Sequence, residues 1–220
     1  MKARESFLRN VERCRTLLQI HRRCWPRRPA RQGDDLLRAI VVLAISSLDS
    51  YLHDVVVENA PAIVMAFAKG KADVPGKLLE ALKPSLTPER CLRLVGRGRP
   101  DEEIRRLVAE HVRERTFQDP GEIERALKLI ALDDFWEEQR QRLRLRRKAE
   151  AKEYLVGYVE RRHKIVHEAD AYKSKKYHGK LRSISRPYAV RSVTDVTRFA
   201  NALDKVVTAH IAEILGGTVA

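Results

Sequence analysis

The sequence predicts an all-α protein, a bundle of long antiparallel helices with an inserted cap of short ones. Three observations lead there. Apolar residues recur at helical spacing over residues 4–21, 36–57 and 192–215. No stretch alternates apolar and polar residues for long enough to make a strand. Proline falls mainly between 61 and 120, where it separates short helix-compatible pieces. At 220 residues the chain has room for one sizeable core, read as a single domain over 1–220 with an insertion at 61–133.

The first helix places Phe7, Val11, Cys14, Leu17, Leu18 and His21 on one face and ends near Trp25 and Pro26. Arg22, Arg23, Arg27, Arg28 and Arg31 cluster there with Trp25, as an RNA-contacting edge or, more plainly, a solvated loop. The second helix starts at Gly33 and Asp34, with Asp34 or Asp35 as cap, and is apolar from Leu36 to Val57. Asp49 and His53 stand four apart on it, a spacing that allows a mutual hydrogen bond. They read either as a solvent-side edge or as supports that orient a group on a neighbouring helix.

Short helices are expected at 62–69, 76–83, 88–95, 101–114 and 120–131. The glycines at 96 and 98 are not a phosphate loop, because no Lys-Ser/Thr follows and no strand precedes. A third long helix opens at Asp133 and Asp134 and runs on to Asp170, its first half dense in arginine. The last helix is expected from about Ser192, a cap candidate, to Leu215.

Lys and Arg exceed Asp and Glu by 14 charges, and the pI is about 10.0. Such a field attracts phosphate polymers or anionic surfaces, with affinity that falls as salt rises. Three scattered cysteines give no disulfide framework or zinc ribbon. The N-terminus is amphipathic and partly acidic, unlike a signal peptide, and the apolar run at 39–46 is too short for a bilayer. A cytoplasmic protein without a membrane role is the expectation.

Residues 154–170 carry the chemistry. On a helix, Ala151, Leu155, Tyr158, Ile165 and Ala169 form an apolar stripe, with Arg162 in its middle where a leucine is due. A guanidinium on an apolar face is costly unless paired or serving a ligand. His163 and His167 flank it, four residues apart. A zinc reading is weak, since the run is His-Lys-Ile-Val-His, with Lys164 where a catalytic glutamate belongs and no clear third ligand nearby. Cleavage of RNA by its own 2′-hydroxyl needs less: a group that moves protons near neutral pH and a fixed positive charge on the phosphorane-like transition state. Histidine and arginine supply these, and no metal or cofactor is called for. Downstream, Lys173, Lys175, Lys176, Lys180 and Arg182 interleave with Tyr172 and Tyr177, a composition suited to single-stranded nucleic acid or to a flexible basic loop.

Arg162-His163-Lys164-Ile165-Val166-His167 resembles the R-x4–6-H signature of the HEPN superfamily. Ser47-Leu48-Asp49-Ser50-Tyr51-Leu52-His53-Asp54 and Thr116-Phe117-Gln118 extend the likeness to the RiboL-PSP type, over about residues 35–215. The resemblance implies a helical homodimer whose R-x4-H segments face one another. It also implies a metal-independent endoribonuclease (a hydrolase leaving 2′,3′-cyclic phosphate ends), often a toxin or anti-phage effector with an antitoxin or defence-system partner. Arg162 would hold the phosphate, His167 would be the acid/base, and His163 would fill the family's polar position. One subgroup is silenced by nucleotidylation of a tyrosine where Ala169 stands here; Tyr172 lies nearby. The alternative is a non-catalytic HEPN module that binds nucleic acid or nucleotide. A third reading is structural, with Arg162 in a buried salt bridge, for instance to Asp49.

Overall fold

A computed structural model describes residues 2–26, 31–96, 99–173, 176 and 179–216. It is an all-α bundle: α1 (Lys2–Cys24), α2 (Asp34–Ala68), α3 (Gly76–Leu82), α4 (Pro88–Gly96), α5 (Pro100–Val112), α6 (Pro120–Lys128), α7 (Phe135–Leu143), α8 (Lys148–Glu153), α9 (Val156–Glu168) and α10 (Arg186–Ile214). Among the described residues, extended pairing is limited to a single bridge between Ala171 and Leu181.

The centre is α2. Its apolar residues go all the way round, so it buries itself against α1, α5, α9 and α10. By length and mean hydropathy of 1.6 it is a helix that can cross a membrane, yet Ile40, Val41, Ile45, Leu48, Leu52, Val55 and Val56 are fully covered by these neighbours. The turn into α2 is tight: a Cβ on Gly33 would sit 2.8 Å from the Trp25 ring and 2.9 Å from His21. Asp34 and Asp35 make no side-chain cap; Asp35 pairs with Arg38 one turn on.

The expected break before Pro61 does not occur. α2 continues to Ala68 with Pro61 buried inside it. Proline forfeits one helical hydrogen bond, but Ala60, Pro61 and Ile63 lie on the face that packs into the core. The short helices then follow nearly as expected. Leu78, Leu82, Ile104, Leu107, Val108 and Val112 join the same hydrophobic cluster as α1, α2 and α10, so the segment is not an isolated body.

The expected third long helix is instead three. Arg144 is left-handed (φ 58), and Leu145 N donates to Arg140 O as in a Schellman close. Arg140 donates to the Leu145 carbonyl and Arg198 to the Leu143 carbonyl, so arginines on two helices satisfy the end of α7. A second break at Leu155 turns the chain so that the Tyr154 and Tyr158 phenols both reach Asp195 on α10, at 3.1 and 2.7 Å. α10 also starts earlier than expected. Ser185 is its cap, accepting from Tyr188 N at 3.2 Å with Pro187 in the first turn, while Ser192 is buried mid-helix.

Ala131, at the close of α6, also takes left-handed backbone (φ 62), with Leu132 N bonded to Leu127 O. That conformation burdens a Cβ, so Ala131→Gly should stabilise the fold by about 0.5–1 kcal/mol. Its melting temperature is expected to rise by roughly 1–4 °C; a fall in Tm would contradict the backbone assigned here.

Candidate nucleic-acid-cleaving site on helix 9

The segment 154–170 is anchored by a residue that the apolar pattern did not mark. Asp170 follows α9 in left-handed backbone (φ 57), directly after Ala169 (φ 48), and its side chain is wholly buried. One carboxylate oxygen, Oδ2, accepts from Arg38 Nε at 2.7 Å and from Arg161 Nη2 at 2.8 Å. Both guanidiniums reach further: Arg38 donates to the Arg182 carbonyl, and Arg161 to the carbonyls of Arg182 and Ser183. Burial opposes the charge on Arg38, but Asp170 and Asp35 outweigh it and hold its pKa above the ordinary arginine value. The cluster ties the C-terminus of α9 to α2 and to the segment leading into α10.

Arg161 and Arg162 are neighbours about 100° apart on the helix, and their roles divide. Arg161 is the ion-paired arginine. Arg162 makes no hydrogen bond or ion pair to any described residue, although its Nε is shielded from solvent. The salt bridge from Arg162 to Asp49 that the structural reading offered is absent. Asp49 instead accepts from Phe117 N at 2.6 Å and from Gln118 Nε2 at 3.1 Å, fixing the turn before α6. His53 Nε2 lies 3.7 Å from Asp49, beyond hydrogen-bond range, and sits 3.1 Å from the Arg115 carbonyl with its ring against Phe117. Asp49 and His53 therefore shape the 115–118 turn, with no hydrogen bond to the α9 motif.

His163 and His167 lie exposed on the outer face of α9, their rings 6.0 Å apart and edge to face. Val166, 47% exposed, lies between them. Together with half-buried Arg162 they form one outward strip. The buried contact of α9 itself is Val159, which the expected stripe omitted, whereas Ala169 is exposed beyond the helix end. An unpaired guanidinium beside two solvent-facing imidazoles can neutralise a phosphate and exchange protons with it. Among the described residues no group of three or more His, Cys, Asp or Glu is placed to hold a metal.

The basic segment after Asp170 is more structural than its composition suggests. Arg182 donates to the Ala171 carbonyl, lies 3.7 Å from Glu168 and stacks over Tyr172 at 4.6 Å. Lys173 pairs with Glu168 at 3.2 Å. Lys176 and Lys180 are exposed, while Lys175 and Tyr177 lie outside the described residues. The apolar pattern alone does not mark Arg38, Arg161 and Asp170 as partners. The available signal was the same one that marked Arg162: Arg38 interrupts the apolar face of the second helix.

Asp170→Asn removes the buried charge that holds the buried Arg38 and half-buried Arg161 guanidiniums and should cost about 3 kcal/mol or more in urea unfolding. Arg162→Ala breaks no bond within the chain and should stay within about 1 kcal/mol of wild type. Equal losses in both variants would contradict this division of roles. Compared with known proteins, the chain matches no family model, no curated protein and no solved structure.

Proposed function

We propose that this protein is a metal-independent endoribonuclease of the HEPN type, cutting single-stranded RNA as a toxin or anti-phage effector. The observation that carries the reading is Arg162. A guanidinium whose Nε is removed from water and left without a partner costs roughly 1–3 kcal/mol, a cost that a phosphate ligand removes. Arg162 would stabilise the charge that builds on the phosphorus as the 2′-hydroxyl attacks. His167 would take up or supply the proton, and the 5′-oxygen would leave, giving a 2′,3′-cyclic phosphate end. His163 would hold a non-bridging oxygen or the leaving group. Exposure of the strip, with apolar Val166 at its centre, suits a homodimer in which two copies of α9 face one another across the scissile strand.

A second reading has one observation in its favour. Neither His163 nor His167 has a carboxylate or carbonyl orienting its ring within the described chain, which suits a module that binds RNA without cutting it. A cleavage assay with chelator present separates the two. The nuclease should cut single-stranded RNA, and Arg162→Ala and His167→Ala should each lower the rate by at least about a hundredfold with RNA binding largely kept. Binding without cleavage by the wild-type protein would establish the module, and cleavage indifferent to both substitutions would discard the site.

A further inference from the structure

One sizeable cavity among the described residues lies away from α9. It is a groove of about 760 Å³ where α1, the end of α7 and α10 meet, and five of its lining residues are cationic: Arg15, Arg142, Arg144, Arg198 and Lys205. No acidic residue lines it. Arg15 has a weak exposed pair with Glu12 at 3.4 Å, and Arg198 caps the Leu143 carbonyl. Arg142, Arg144 and Lys205 are exposed and make no ion pair with any described residue. Elsewhere in the chain, Arg38, Arg161, Arg182 and Arg186 are each matched to a carboxylate or carbonyl. Concentrating unpaired like charges around one groove is unfavourable in the free protein and favourable once a polyanion lies in it.

We infer that this groove binds the sugar–phosphate backbone of single-stranded RNA, as an anchoring site separate from the α9 strip. Its geometry argues for a chain of phosphates over one small phosphorylated ligand. The α10 residues along it run from Val190 through Thr194 and Asn201 to Lys205, a trough roughly 22 Å long at 1.5 Å per residue. Small phosphates are gripped by backbone N–H groups at helix N-termini or glycine turns. Here the walls are helix flanks and the C-terminal turn of α7, the negative end of that helix's dipole, which disfavours a single anion. Long cationic side chains alone do the binding, which suits contact with successive phosphates. The lining includes no aromatic ring for base stacking, so the site should be indifferent to sequence.

The groove and α9 lie on different sides of α10. Val190, Thr194, Asn201 and Lys205 are turned about 80–160° around the helix from Asp195 and Tyr188, which face α8 and α9. A strand held in the groove must therefore pass around the bundle, or from one subunit to the next, to reach Arg162. The inference shares with the nuclease proposal only that RNA is the ligand, and it stands whether or not the strand is cut.

Binding of a labelled single-stranded RNA by the full-length His167→Ala protein, titrated over a range of salt, tests it. The substitutions R142Q, R144Q and K205Q together should weaken binding on the order of tenfold and flatten the log K against log salt slope by about 2, the value for three phosphate contacts. A matched control, K71Q with R105Q and R113Q, none of which lines the groove, carries the same loss of charge on exposed, unpaired residues. It should change the affinity by less than about threefold. The inference is overturned if the groove variant binds like its parent, if both triple variants weaken equally, or if inorganic tripolyphosphate displaces RNA from the groove as effectively as unlabelled RNA. Circular dichroism and Tm of the two triple variants should match those of the parent.

Discussion

One buried carboxylate decides where the chemistry of this protein can sit. Asp170, held in left-handed backbone at the end of α9, draws Arg38 from α2 and Arg161 from α9 onto a single oxygen. Both guanidiniums also bind the carbonyls of the strand-like segment that leads to α10. A helix of 13 residues with one buried side chain, Val159, and Tyr158 and Ile165 half-buried against the core has modest apolar contact to fix its rotation. The ion cluster supplies that constraint. With Arg161 turned in, geometry forces Arg162, His163 and His167 onto the adjoining and outer faces. Replacing such a cluster by apolar residues often costs nothing in stability, so its use here is best understood as setting orientation.

The arginines of this chain fall into two groups by what their guanidiniums touch. Arg38, Arg161 and Arg186 tie helices to irregular segments, and Arg140 and Arg198 close the end of α7. These do the work that glycine caps, asparagine turns and buried water do in other small proteins. The second group, Arg142, Arg144, Arg162 and Lys205 with them, has no internal partner. Part of the net charge of +14 is therefore unmatched within the chain in a groove on one side of α10 and at one point on α9, where phosphates would be favoured.

The apolar periodicities made the long helices legible: α1, most of α2 and most of α10 lie where the 3.6-residue repeat places them. Backbone breaks that rest on tertiary contacts were not legible. Arg144 ends a helix in a conformation that glycine usually takes, because Arg140 and Arg198 satisfy the freed carbonyls, and nothing local in 140–147 announces that. Pro61 was the opposite case, a strong local signal overridden by burial. At the site, the rule that a charge on an apolar face signals a constraint holds for Arg38 as well as for Arg162, and Arg38 meets Asp170. The rule cannot separate Arg161 from Arg162, since only the fold shows which of two adjacent guanidiniums meets the carboxylate.

The central claim is that Arg162 is held unpaired so that a phosphate can settle beside His163 and His167. Its most direct test is the imidazole resonances of the histidines, followed by NMR as a non-cleavable 2′-deoxy-substituted RNA is added. The account predicts that two of the seven histidines, His163 and His167, shift on saturation, and that Arg162→Ala abolishes both shifts while the groove still holds RNA. If RNA binds and those two resonances stay in place, the phosphate is elsewhere and the site assigned to α9 is wrong.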